Sequence, residues 1–153
     1  MLASHVMTKN VQTLPDTATV YDALNLLVNS ALDDFPVVNK NGQPVGIVSA
    51  KSIVHHAIPD YATTNFLAAM QAAPDIKSIY KKIEHIVDHP ILEVADTHFT
   101  TVKPTTATSA VAAILANLTG DTHHVLVVDD AGKLLGIISA RDILRRHLKN
   151  INA

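Results

Sequence analysis

The chain of 153 residues carries a formal net charge of −2, an apolar content of 48% and no cysteine. That length and apolar share suffice for one buried core, and with aromatics at 4% and no Trp the core must be built from Val, Ile, Leu and Ala. The near-neutral charge argues against a phosphate-backbone surface for nucleic acid. The lack of any run near roughly 18 apolar residues argues against a membrane span, and without cysteine there is neither disulfide nor thiolate chemistry.

The opening residues 1–10, with His5 and Lys9, show no apolar run of signal-peptide length, so a cytoplasmic setting is expected. Residues 11–14 read as a short strand ended by Pro15. Thr19 suits a helix N-cap with Asp22 closing a capping box, and Val20, Ala23, Leu24, Leu27 and Val28 follow at helical spacing. Residues 35–38 form a continuous apolar run of buried-strand type. Asn41-Gly42 favours a tight hairpin turn, and residues 45–48 form a strand that runs into a helix opening at Ser49.

A stretch from 59 to 93 follows, punctuated by Pro59, Pro74 and Pro90. Thr64 is placed to cap a short helix through Ala73. Asp75 is placed to cap a second, with Ile76, Ile79, Tyr80, Ile83 and Val87 on one face. Beyond it the first pattern returns: a strand at 99–102, Pro104, Thr108 as helix cap with Val111, Ile114, Leu115 and Leu118 behind it, a strand at 125–128, a turn at Asp130-Ala131-Gly132, a strand at 135–138, and a helix opening at Ser139.

This return is a duplication. Val37-Val38, Gly42, Gly46-Ile47, Ser49-Ala50 and Ile53 recur 90 residues later as Val127-Val128, Gly132, Gly136-Ile137, Ser139-Ala140 and Ile143. Upstream, Thr17-Ala18-Thr19 matches Thr106-Ala107-Thr108. The ordered set of strand, Pro, Thr-x-Thr helix start, apolar-Val-Val, turn Gly and Gly-Ile-x-Ser before a last helix, present twice, resembles the CBS (cystathionine-β-synthase) domain family, in the form of a stand-alone tandem pair, or Bateman module. The resemblance covers all but the insert and the extreme termini. It implies an α/β (α+β) fold of two β-α-β-β-α repeats about a pseudo-twofold axis: repeat 1 at 1–58, a helical insert at 59–93 and repeat 2 at 94–153. It also implies a cleft on each side of that axis for an adenosine-containing ligand, and pairing into disc-shaped homodimers.

The ribose role of the family falls here on Ser139 and Asp142, and a short carboxylate is the group that can accept from a vicinal diol. Ser139-x-x-Asp142 is equally a helix N-cap pair, and the two roles are compatible. In the first copy Ser49 is in place but Ser52 stands where Asp142 stands, which weakens that site. His123-His124 precede the second apolar strand as phosphate donors, whereas Asp33-Asp34 occupy that place in the first copy. Arg141 and Lys51 flank the two helix starts as further phosphate donors or solvated surface residues. Thr101 and Val102 are the candidates for holding adenine.

His85 and His89 have a spacing that could share a metal, but Pro90 ends the helix and no third ligand is evident. His55-His56 and His147 suit helix C-termini. No metal or cofactor, no nucleic acid and no membrane is expected. With five Gly and no nucleophile in context, the expectation is a non-catalytic sensor. AMP, ADP or ATP is the leading ligand, with S-adenosylmethionine or NAD as relatives, and the regulated protein partner is not identified by the sequence. The competing reading is a constitutive dimerisation or interaction module whose nucleotide site has decayed.

Overall fold

The computed structural model describes residues 1–63 and 65–151. Two three-stranded sheets carry the duplication. The first joins β1 (Leu14–Pro15), β2 (Asp34–Val38) and β3 (Pro44–Ser49), in the order β1-β2-β3. The second joins β4 (Thr101–Val102), β5 (Val125–Val128) and β6 (Leu134–Ile138) in the same way. In each, the first pair is parallel and the hairpin antiparallel, with the register shifting at Val37/Val38 and at Val127/Val128. Gly42 and Gly132 close the hairpins with φ of 76° and 81°, a region that favours glycine.

The expected helices form as α2 (Val20–Val28) and α3 (Ala50–Ala57) in the first copy, α7 (Thr108–Asn117) and α8 (Ala140–Ile151) in the second. Thr19 and Asp22 make the capping box on α2, as their spacing requires. Thr108 does not cap α7. Ala107 takes that position, and the Thr108 hydroxyl lies buried without a partner among the described residues. The opening strands are also shorter than expected, because residues 11–13 and 99–100 leave the sheet. A short helix α1 (Ala3–Val6) precedes the first sheet. The insert folds as α4 (Asp60–Thr63), α5 (Phe66–Ala72) and α6 (Ile76–Ile86). Thr64 lies outside the described residues, and Asn65 caps α5 by accepting from the Ala68 N–H at 2.8 Å.

Strand alternation sorts the core into three parts. Phe35, Val37 and Val48 face α2 and α3 together with Val20, Leu27 and Ile53. Val125, Val127 and Ile138 face α7 with Val111. The residues between them in sequence, Ile47, Leu126 and Ile137, turn to the opposite faces and form a third cluster with Val11, Phe99 and Leu134. The two sheets therefore pack on each other through one side and carry their helices on the other.

Each repeat is completed by the segment that precedes the other. Ala3 and Val6 of α1 are buried in the second core, and Ile86, Ile91 and Val94 in the first. Thr8 exchanges backbone hydrogen bonds with Ile137 at 2.9 and 3.1 Å, and Asp96 exchanges the matching pair with Ile47 at 2.8 and 2.9 Å. The packing thus crosses the linear division at 1–58, 59–93 and 94–153. This exchange brings residues 8 and 96 to the two clefts. Among the described residues, no helix is long and apolar enough to cross a membrane.

Candidate functional site

Strand β6 delivers Ser139 to the start of α8, where the chain must satisfy the first free N–H groups of the helix. Asp142 does this and stays buried. Its Oδ2 accepts from the Ser139 N–H at 2.7 Å and from Ser139 Oγ at 2.9 Å, and its own N–H donates to Ser139 Oγ at 3.4 Å. Oδ1 accepts from Thr8 Oγ1 at 3.1 Å and from Arg145 Nη1 at 3.1 Å. Two oxygens offer about four acceptor positions, so Ser139, Thr8 and Arg145 between them satisfy the carboxylate. Thr8 comes from the exchanged N-terminal segment and Arg145 from the next turn of α8.

These groups form one side of a cleft of about 630 Å³ between the repeats. Leu115, Leu118, Ile137, Ala31 and Leu32 supply apolar wall, and Arg141, His123, His124, Asp33 and Asp34 supply polar and charged groups. Asp34 is 2% exposed, and it is held across the repeat boundary. Its Oδ1 pairs with His124 Nδ1, and its Oδ2 accepts from the His123 N–H at 3.0 Å. Asp34 Oδ1 and His124 Nδ1 are in contact but not aligned for a hydrogen bond, and among the described residues neither has a hydrogen-bonding partner.

The first cleft is its counterpart, about 520 Å³, bordered by Ser52, His55, His56, Lys82, Asp96, Gly120 and Asp121 among others. Ser49 and Ser52 cap α3 reciprocally, with Ser52 N–H to Ser49 Oγ at 2.8 Å and Ser49 N–H to Ser52 Oγ at 3.0 Å. Asp121 takes two nearby side chains, His55 and Lys51. His55 Nδ1 lies 3.0 Å from its Oδ2, and Lys51 Nζ lies 3.9 Å from its Oδ1 while donating to the Gly120 carbonyl at 3.2 Å.

Of the residues the sequence singles out, Ser139, Arg141, Asp142, His123 and His124 line one cleft together. Thr101 and Val102 do not line it. They lie on β4, Thr101 exposed and Val102 buried in the second core. Ser49 is buried as the cap of α3, and Lys51 is tied to Gly120 and Asp121 at the first cleft. One expectation is corrected. Asp33-Asp34 do not set the first cleft against phosphate, because they line the second cleft beside His123-His124, and Asp34 is paired there. A strand end that carries one face to its own helices delivers its leading residues to the neighbouring repeat.

Thr8, Arg145 and the wall residues Leu115 and Leu118 were not anticipated as site residues. Arg145 was accessible from its i,i+3 spacing to Asp142. Thr8 had a weaker signal: the repeat register pairs it with Asp96, a residue of different chemistry. His89 meets Glu93 at 2.7 Å, and among the described residues no three metal-ligating side chains cluster.

Solved structures share this architecture. The CBS-pair protein CBSX2 of Arabidopsis thaliana superposes with a TM-score of 0.74 at 22% identity, over 99% of this chain and 97% of its own. CBSX2 in complex with AMP gives 0.70 at 22% identity, over 97% of both chains. A CBS domain-containing protein of unknown function from Bacillus anthracis gives 0.73 at 16% identity, over 97% and 94%. In sequence, an uncharacterised protein of Methanocaldococcus jannaschii is 22% identical over 94% of this chain and 89% of its own. The family model for the CBS domain matches residues 3–58 and again 91–149, which together are most of the chain. The two-sheet fold is that of a tandem CBS pair, and the chain belongs to the CBS domain family.

Proposed function

We propose that the chain is a non-catalytic regulatory module that binds an adenine nucleotide, AMP, ADP or ATP before S-adenosylmethionine or NAD, in the second cleft. The observation that carries this reading is the meeting of Asp142, Arg141 and His123-His124 with apolar walls in one cavity of about 630 Å³, a size ordinary for small-molecule sites. The AMP complex of CBSX2 supports the choice of ligand class. Such a ligand suits a cytoplasmic protein.

Ligand entry is an exchange at Asp142. Arg145, whose side chain is 55% exposed, swings off Oδ1, and a ribose hydroxyl donates in its place. Arg145 is then free to meet a phosphate beside Arg141. Because the cleft takes Ala31 to Asp34 from one repeat and Ser139 to Asp142 from the other, occupancy favours one relative placement of the repeats. A protein partner that distinguishes the two placements reads the signal.

Thermal-shift measurement against a nucleotide panel tests this directly. A ligand at 100 times its dissociation constant should add about 2.7 kcal/mol to stability. Calorimetry should count one strong site per chain, and two equivalent sites would contradict the assignment. A panel without any shift would favour the second reading, a constitutive dimerisation module with a decayed site. That reading draws on the satisfied state of Asp142 and on exposed Val28, Leu144 and Leu148, at 74%, 64% and 57%. Both readings place a homodimer on these helix faces. Light scattering at tens of micromolar should give twice the chain mass, and a monomer would remove the dimer.

A further inference from the structure

We infer that the helical insert carries a self-association face: the outer side of α5, with Phe66, Leu67 and Met70, docks against the same side of α5 in a second copy of the chain. None of the three lines either cleft, and none belongs to the repeat helices, so the contact stands apart from nucleotide binding.

Residues 61–74 hold no Asp, Glu, Lys, Arg or His. Asn65 caps α5, and the alanines within it favour the helix. Its packing on α4 reverses the usual order of large side chains inside and small ones outside. Ala68 and Ala69 are half-buried, while Phe66, Leu67 and Met70 are 81%, 61% and 69% exposed, and no residue of α5 is buried. Positions i, i+1 and i+4 share one side of a helix, so the three make a single apolar face. Phe66 is the most exposed of the large apolar side chains among the described residues, whereas Phe35 is 1% exposed in the first core. A helix of seven residues is marginal in water without tertiary cover, and this one turns its best covering surface outward.

Charge selects what covers it. An interfacial membrane helix carries Lys or Arg on its polar side, but α5 has neither, and Asp60 and Asp75, which bracket it, repel anionic headgroups. A foreign partner would be steered by complementary charge, which the face lacks. A second copy meets it with no like charges opposed. In an antiparallel approach about a twofold axis, the Asp60 end of each copy also turns toward Lys77 and Lys81 of the other, against the single acid Asp75 at that end. Three such side chains expose on the order of 400 Å² per copy and about 800 Å² across a pair, short of the roughly 1,200 Å² at which stable interfaces begin. The association is therefore weak and concentration-dependent, a step beyond any pairing through the repeat helices.

Sedimentation equilibrium of the wild-type chain tests this, from tens of micromolar to about a millimolar. The average mass should climb toward twice its low-concentration value. In the double variant Phe66→Glu, Met70→Glu the climb should need about tenfold higher concentration or more, since a twofold contact takes each introduced charge twice, and the melting temperature should hold because both side chains are already exposed. A flat mass in the wild type, or an equal climb in the variant, overturns the inference. Flotation of the wild type with phosphatidylserine vesicles, lost in the variant, overturns it in favour of a membrane. Should the variant not fold, the absence of native cysteine provides a second measurement. Met70→Cys should cross-link to its own copy with a short bismaleimide, and Lys40→Cys, at the exposed turn of the first hairpin, should not. Equal yields at the two positions would mean random collision and remove the face.

Discussion

In the second cleft the carboxylate sits on the helix, as Asp142, and the exchanged segment supplies a hydroxyl, Thr8; in the first cleft the helix supplies a hydroxyl, Ser52, and the exchanged segment the carboxylate, Asp96. The backbone frame is the same, since Thr8 pairs with Ile137 as Asp96 pairs with Ile47. The consequences differ. Asp142 lies against the helix start, where N–H groups and Arg145 neutralise it, and it is 8% exposed. Asp96 instead spends Oδ1 on the His98 N–H at 2.8 Å and stays 22% exposed. The cations differ likewise. Asp121 binds Lys51 and His55 in the first cleft, while its counterpart by the 90-residue register is Ala31, which leaves Arg141 without an ion pair among the described residues. A duplicated frame can therefore hold two sites that place their carboxylates and cations differently, with a few substitutions setting the placement.

The largest expected effect follows from moving the carboxylate's charge. Asp142→Asn should weaken AMP binding by about ten- to a hundredfold, the loss of a charged acceptor for the ribose diol. Ser52→Ala, its counterpart, should leave the strong site untouched and cost about 1 kcal/mol or less of stability through the α3 cap. Side-by-side calorimetry and melting curves separate the roles. If Asp142→Asn melts several degrees lower while AMP binds as before, Asp142 is only a helix cap and the second cleft loses its ribose assignment.

A smaller difference tests the frames themselves. Gly136 and Gly46 occupy equivalent places, but a Cβ at Gly136 would sit 2.7 Å from the Thr8 carbonyl oxygen and 2.9 Å from Met7 Sδ. At Gly46 the closest approaches are 3.2 Å to Ala95 Cβ and 3.3 Å to the Asp96 carbonyl oxygen. Gly136→Ala should therefore push the N-terminal segment off β6 and destabilise by about 1–3 kcal/mol, the usual range for overpacking. Gly46→Ala should cost less than that. Because the displaced segment carries Thr8, Gly136→Ala should also weaken AMP binding. Equal melting temperatures for the two variants would show that the segments are held with equal slack.

The repeats, the hairpin glycines and the helix starts were legible because each rests on local rules: strand alternation, φ above zero at Gly42 and Gly132, capping at Thr19, Ser49 and Ser139. Ser139, Asp142, Arg141, His123 and His124 could be named because the resemblance to the CBS family assigns their motif positions a ligand role. What stayed hidden depends on packing over long sequence distances. Thr8 reaches Asp142 across 134 positions, and Asp34 reaches His123 across 89, and neither span leaves a local trace. Thr101 and Val102 show the converse. Their strand was recognised, though shorter than expected, yet a two-residue strand beside β5 lies off the lining of the cleft.

The smallest predicted effect asks whether charge alone separates the clefts. Asp121 is 17% exposed and holds Lys51 and His55, which are 63% and 53% exposed, so the pairs are partly screened by water and salt. Asp121→Asn removes one negative charge and releases Lys51 and His55 toward the first cleft. Stability should change by less than about 1 kcal/mol, as for other exposed pairs. Calorimetry should then reveal a second AMP site, still weaker than the first, because Asp96 remains and Ser52 cannot grip a diol as a carboxylate does. Its affinity should fall as salt is raised, since the new contacts are to exposed cations. Adding Ser52→Asp would restore the carboxylate on the helix, but beside Asp96 the gain should be partial. If Asp121→Asn shows no second site at millimolar AMP, the shape of the first cleft excludes the ligand, and the difference between the clefts is steric rather than electrostatic.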